Sequence, residues 1–308
     1  MPSKQKEFSS LLELMRTIPD EQAAIDHFTA IRWKDGQFCP YCGSVRLYHL
    51  SDKKNHKCAD CKARFSIKVG TIFEDSKLPL RTWMLAVWFI TSHKKGISST
   101  QLAKDLNVTQ KTAWFVMHRL RHAARTRSFN RPLDGEVEVD ETFIGGKAKN
   151  RHKDKCGVSG TTGGDGKAIV AGAVERKGRV VAQVVENVRA DTLTQFVRDA
   201  VSANVDLVVT DKWVGYKHLG KEFPHETVDH ADGEYVRGRA HTNTIEGYWS
   251  QLKRQIFGIH HWVSGKHLGR YVDESAWRYN RRERDEAPRF NDLLAMTDGR
   301  LRYAELIA

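Results

Sequence analysis

The 308-residue chain carries 50 Lys and Arg against 38 Asp and Glu, a formal charge of +12, and 40% of its residues are hydrophobic. That mix excludes a disordered or low-complexity chain and leaves room for two or three compact units. No apolar run reaches the roughly 18 residues of a membrane helix, and the positive excess favours a polyanionic partner.

The N-terminus lacks the basic-then-apolar pattern of a secretory leader. A reducing cytoplasm is therefore expected, in which the five cysteines form no disulfides. Phe8, Leu11, Leu12, Leu14 and Met15, followed by Ala23, Ala24, Phe28 and Ile31, recur at near-helical spacing and predict a helical lead-in over residues 1–36.

Residues 37–76 then become short, turn-rich and Cys-bearing. Cys39-Pro-Tyr-Cys42 and Cys58-Ala-Asp-Cys61 are two Cys-x-x-Cys knuckles separated by residues 43–57, the pattern that sets four thiolates tetrahedrally around zinc. A four-thiolate site leaves no open position for water, so this zinc is expected to be structural. His56, Lys57, Lys62, Arg64 and Lys68 are candidate phosphate contacts. Cys156, alone in a Gly- and Lys-rich loop over 145–167, reads as a free thiol and not a fifth ligand.

Residues 77–131 predict a helical block. Within it, Ser98 to Leu106 reads as a short helix, Leu106-Asn-Val108 as a turn, and the stretch capped by Thr109 as a second helix, the arrangement of a helix-turn-helix. Gln110, Lys111 and Thr112 would face base edges, with Arg119 a further DNA contact, while Trp114, Val116 and Met117 pack inward. Residues 81–131 hold ten Lys or Arg and one acid, Asp105, a bias that solubility does not require.

From residue 132 to 285 strands and helices interleave, predicting an α/β domain, with 286–308 as a C-terminal tail. Strands are expected at Glu136 to Ile144, Ala168 to Glu175, Val180 to Val188 and Leu207 to Thr210, the middle two joined by a hairpin at Arg176 to Arg179. Helices are expected at Ala190 to Ala203 and Thr242 to Phe257. Alternation puts Val137 and Val139 on one face of the first strand and Glu136, Glu138 and Asp140 on the other. An ionised acid facing inward needs a cation, which singles out Asp140; Asp211 ends an apolar strand where α/β sheets present functional groups. Either acid taken singly could merely cap a loop.

On the helix from Thr242, Asn243, Glu246, Ser250 and Lys253 share one stripe, and Ile245, Trp249, Leu252 and Ile256 another. Asp140, Asp211 and Glu246 can hold two Mg2+ or Mn2+ ions, with Lys253, and Arg254 beside it, against a DNA phosphate. Hard cations prefer carboxylates, which favours Glu246 over Asn243 as the third ligand; Asn243 would then orient it. The Trp277 to Arg284 stretch reads either as a helix lying along DNA or as an ordinary solvated helix face.

Cys39-Pro-Tyr-Cys42-Gly, Val137-Glu-Val-Asp-Glu-Thr142, Thr210-Asp-Lys-Trp-Val-Gly-Tyr216, His241 through Arg254 and Tyr279-Asn-Arg-Arg282 together resemble the bacterial insertion-sequence transposases of the Asp-Asp-Glu superfamily, in the ISXO-like branch that joins a zinc ribbon and a helix-turn-helix to an RNase H-like core. The resemblance implies a mixed sheet with flanking helices, hydrolytic cutting at element ends, and attack of the freed 3′-hydroxyl on target DNA. It further implies double-stranded DNA as partner, a homodimer on paired ends, and a bacterial, nucleoid-associated protein. Two competing readings share many features: a non-catalytic DNA-binding regulator, which would not require the three acids, and a metal-dependent nuclease without strand transfer.

Overall fold

The computed structural model describes residues 8–125, 131–146, 166–229, 232 and 236–307. Cys156 and most of the Gly- and Lys-rich loop lie outside the described residues. The chain forms two compact units, Met1–Ala124 with Glu283–Ala308, and Arg125–Arg282.

In the first unit, α1 (Leu11–Thr17) and α2 (Glu21–Arg32) start where Ser10 and Asp20 accept hydrogen bonds from the Glu13 and Ala23 backbone N–H groups. A three-stranded antiparallel ribbon follows: β1 (Leu47–His49), β2 (Asn55–Cys58) and β3 (Arg64–Ser66). Its buried apolar side chains are Cys39, Cys58 and Phe65, with Trp33, Leu47 and Val69 packed against them. Three helices come next: α3 (Leu80–Ser92), α4 (Ser99–Leu106) and α5 (Gln110–Ala123). The sharp turn between α4 and α5 rests on Asn107, whose φ of 51° is left-handed, a conformation Asn tolerates because its short polar side chain bonds locally. Thr109 then caps α5 by accepting from the Thr112 N–H.

The second unit is built on five strands: β4 (Glu136–Ile144), β5 (Ala168–Glu175), β6 (Val180–Val185), β7 (Leu207–Asp211) and β8 (His225–Val228). They stand in the order β6-β5-β4-β7-β8. The β4–β5–β6 half is antiparallel; β4–β7 and β7–β8 are parallel. Helix α6 (Ala190–Ala200) supplies the crossover before β7. Its Leu193, Phe196 and Val197 pack on Val137 and Val139 of β4 and Ala171 and Ala173 of β5. The opposite face receives α7 (Asn243–Lys253), which continues as a π-helical turn at Arg254–His260, and α8 (Gly265–Tyr279). Ile245, Tyr248, Trp249 and Leu252 pack there on Val170 and Val174. A mixed five-stranded sheet with helices on both faces is the RNase H-like arrangement.

Two expectations about the C-terminal region change. Trp277 is fully buried and Arg278 and Tyr279 nearly so, making α8 a core helix and neither of the surface helices expected there. Just after it, the Asn280 side chain accepts from the Val180 N–H at 2.7 Å and donates to the Val180 carbonyl at 2.9 Å, standing in for a strand neighbour at the start of β6. Residues 286–308 are not a loose tail. They contain α9 (Glu286–Ala295) and α10 (Tyr303–Ile307), and α9 packs on α2 and α3 through buried Phe290, Leu293 and Leu294.

Candidate active site and associated binding elements

The parallel pairing of β4 with β7 sets Glu136 beside Leu207, Val137 beside Val208 and Glu138 beside Val209. Carried two residues further, that register puts Asp140 beside Asp211, on neighbouring strands about 4.8 Å apart. Two charges about 5 Å apart repel by roughly 3 kcal/mol at an effective dielectric of about 20. Burial first, and the Asp211 charge second, raise the Asp140 carboxyl to about 6, with Glu246 adding to the same effect. Three acids from two strands and one helix therefore feel one another across the sheet surface.

Each acid has a holder. The Trp249 indole N–H donates to Asp140 Oδ2 at 2.9 Å, the Trp213 backbone N–H donates to Asp211 Oδ1 at 3.1 Å, and the Thr242 hydroxyl donates to Glu246 Oε1 at 3.0 Å. Trp249 reaches Asp140 because the β5 residue opposite it is Gly172. A Cβ at Gly172 would lie 2.5 Å from the indole ring. The stripe Asn243, Glu246, Ser250 and Lys253 is exposed throughout, as is Arg254, while Ile245, Trp249, Leu252 and Ile256 are buried.

Glu138 and Glu141 complete the acidic surroundings. Glu138 is fully buried, an arrangement that costs several kcal/mol for an unpaired carboxylate. Here it accepts from Arg176 Nε at 2.8 Å and from the backbone N–H groups of Thr244 at 2.7 Å and Ile245 at 3.0 Å. Glu141, on the opposite face from Asp140, accepts from the Tyr216 hydroxyl at 2.7 Å, and burial, assisted by Asp140 and Asp211, lifts its carboxyl to about 7.

The four cysteines converge as their spacing predicts: the sulfur atoms of Cys39, Cys42, Cys58 and Cys61 lie within 4.8 Å of one another. Four soft thiolates at that separation fit a tetrahedral zinc. The acids are set wider; among the described residues, only these cysteines bring three or more ligand atoms that close. Their oxygen donors suit a hard divalent cation.

Several basic and polar candidates turn out to be engaged within the fold. Arg119 donates to the carbonyls of Ile72 and Glu74, Lys68 donates to those of Ser76 and Leu78, and His56 is buried in the ribbon. Gln110 donates to the Ser99 hydroxyl at 2.8 Å, tying α5 to α4. Lys111 is exposed at the start of α5, and Thr112 is half-exposed. Val116 and Met117 pack inward as expected, whereas Trp114 is only half-buried.

Sequence reasoning missed Gly172, Thr242, Tyr216 and the capping role of Glu138. The signal for Glu138 was present, because alternation already turned it inward beside Asp140, and an inward acid needs a partner.

A mixed five-stranded sheet with helices on both faces and an acid on each of two adjacent parallel strands is of the RNase H-like class. Residues 132–280 match the ISXO2-like transposase domain, and residues 19–64 the transposase zinc-ribbon domain. The chain is 30% identical over 277 residues to an uncharacterized protein in transposable element ISH50 of Halobacterium salinarum, covering 84% of this chain and 90% of that one. Solved structures with partial likeness include a pre-cleavage Mos1 transpososome, at 13% identity, 74% of this chain, 82% of that chain and a TM-score of 0.28. Another is the Mos1 transposase paired-end complex with left transposon end, at 12% identity, 70% and 81% coverage, and a TM-score of 0.22. The chain belongs to the ISXO2-like transposases, the DDE enzymes of insertion sequences. Because the ISH50 relative is archaeal, the family reaches beyond the bacteria expected from sequence. Among the described residues, no helix is long and apolar enough to cross a membrane.

Proposed function

We propose that Asp140, Asp211 and Glu246 hold two divalent cations, Mg2+ or Mn2+, at which this transposase hydrolyses the phosphodiester at each element end and joins the freed 3′-hydroxyl to target DNA. The observation that supports the reading is the β4–β7 register, which, carried two residues on, sets Asp211 beside Asp140, whose carboxyl is raised by burial and by the Asp211 charge. Bound there, the cations would stabilise the attacking and leaving oxygens of the displacement. Trp249 fixes the Asp140 carboxylate, and α7, packed on the same face of the sheet, brings Glu246 toward it. Asn243 is exposed one turn before Glu246 and serves as an orienting group.

Lys253 lies two turns beyond Glu246 on the same exposed stripe, where its ammonium group is suited to a scissile-strand phosphate, with Arg254 beside it. Double-stranded DNA is held by the first turn of α5, with Lys111 and Thr112 toward the groove and Gln110 fixing the helix angle through Ser99. The chain works as a homodimer, since two ends must be cut and joined together.

The test is strand cleavage and joining on labelled DNA bearing the element's terminal repeats. The expected result is joined product that requires Mg2+ or Mn2+ and is lost in Asp140→Ala, Asp211→Ala and Glu246→Ala but only reduced in Asn243→Ala. Tight DNA binding without cleavage by folded, zinc-loaded protein would leave a DNA-binding regulator instead.

A further inference from the structure

The first N–H groups of a helix have no acceptor within the helix, and a Ser, Thr, Asp or Asn at the N-cap ordinarily supplies one from its own side chain. Helix α7 has such a residue, Thr242, yet its hydroxyl makes no cap bond. It donates instead to Glu246 Oε1 at 3.0 Å. The cap comes from β4, more than a hundred residues earlier: Glu138 Oε2 accepts from the N–H groups of Thr244 at 2.7 Å and Ile245 at 3.0 Å, and Glu138 Oε1 from the Thr244 hydroxyl at 2.8 Å.

We infer that Glu138 and Thr242 are positioning residues for Glu246, Glu138 by capping the helix that carries it and Thr242 by donating to its carboxylate. Glu138 supplies the helix cap as acceptor, and the Thr242 hydroxyl, packed at the N-cap, donates its proton to the Glu246 carboxylate and so aims it. Because Glu138 lies two residues before Asp140 on the same strand face, the cap ties the first turn of α7 to the backbone that carries Asp140. The Glu138 charge is balanced on site by Arg176 Nε at 2.8 Å and by the positive end of the α7 dipole. Arg176 is itself fixed by Glu136 and by the His241 carbonyl, one residue before Thr242. Thr242 is buried, so its hydroxyl is directed by packing and does not exchange freely with solvent.

The inference rests on the reading of Glu246 as a cation-holding residue, and the experiment separates the two. Thr242→Val removes the hydroxyl at nearly constant volume, Thr242→Ser restores it, and Glu246→Ala is the reference. Mn2+ binding to the zinc-loaded full-length protein is measured by calorimetry, beside the melting temperature and the Mn2+ concentration that gives half-maximal cleavage. The expected result is a loss of Mn2+ affinity of about ten- to a hundredfold in Thr242→Val, the range for residues that orient a metal ligand. Thr242→Ser should recover most of that affinity, with the two variants melting together. Glu138→Gln should shift the Mn2+ requirement in the same direction; should it fail to fold, the Thr242 pair still decides. Wild-type Mn2+ binding in Thr242→Val alongside lost binding in Glu246→Ala would overturn the positioning role and leave Glu246 in place. Wild-type binding in Glu246→Ala would overturn the ligand assignment and the inference with it.

Discussion

Gly172 has no catalytic chemistry, yet the site depends on it. Opposite Asp140 across the β4–β5 pair, it leaves the space into which Trp249 extends its indole toward the Asp140 carboxylate. Gly172→Ala forces the ring or the strand to move, and misplacement on the ångström scale can cost about a hundredfold in rate. Cleavage should fall by about that factor in single-turnover assays while DNA binding is retained. The raised carboxyl of Asp140 yields a second prediction. Its folded value of about 6 lies above the roughly 4 of an unfolded aspartate, so the folded state binds the proton more tightly and stability falls as pH rises from about 4 to 6. Without added divalent cation, Asp140→Asn should therefore melt above wild type at pH 7, and the gap should close below about pH 4. Asp140, Asp211 and Glu246 could be singled out in the sequence because Asp140 is an acid turned inward on a central strand, Asp211 ends an apolar strand, and Glu246 lies on a stripe of polar groups. Gly172 and Thr242 were not, since their roles exist only once β5 and α7 lie against β4.

The zinc ribbon illustrates how the metal site of an element can be read from sequence while the element depends on that metal for its stability. Its paired knuckles announced the site, but its buried apolar side chains are Cys39, Cys58 and Phe65, two of them ligands. So small a core cannot offset the entropy of ordering the segment without the metal. Cys58→Ser should release zinc and unfold residues 39–66, seen as lost zinc content together with new protease cleavage in the ribbon, while the β4–β8 sheet keeps its protection. The β8 strand was missed for the opposite reason. His225-Glu-Thr-Val228 is a four-residue edge strand with only Val228 buried, so it has no alternating pattern to detect. The Trp277 to Arg284 stretch reads in sequence as a surface helix because Arg278, Arg281 and Arg282 resemble a solvated face. In the fold Arg278 is buried against Glu274, and Arg281 and Arg282 lie over the rings of Trp277 and Tyr279.

The chain leaves its first unit at Arg125 and returns to it at Glu283, so its two ends belong to one body. A reading that runs from left to right divides it into successive domains and leaves residues 286–308 as a remainder. Buried Phe290, Leu293 and Leu294 tie that segment to α2 and α3. Each contributes roughly 1.5–3 kcal/mol, together comparable to the about 5–15 kcal/mol that holds a whole domain. Truncation after Arg282 should therefore unfold the helices of the first unit, seen as lost helical circular dichroism and sensitivity to protease, whereas residues 125–282 expressed alone should fold and retain Mn2+ binding. The central claim concerns the three acids of that second unit. It is tested most directly by anomalous scattering from crystals of the protein with its cleaved end DNA and Mn2+. Two manganese peaks bounded by Asp140, Asp211 and Glu246 are expected; peaks held by Asn243 or Glu141 in place of Glu246, or none beside Asp140 and Asp211, would contradict the assignment.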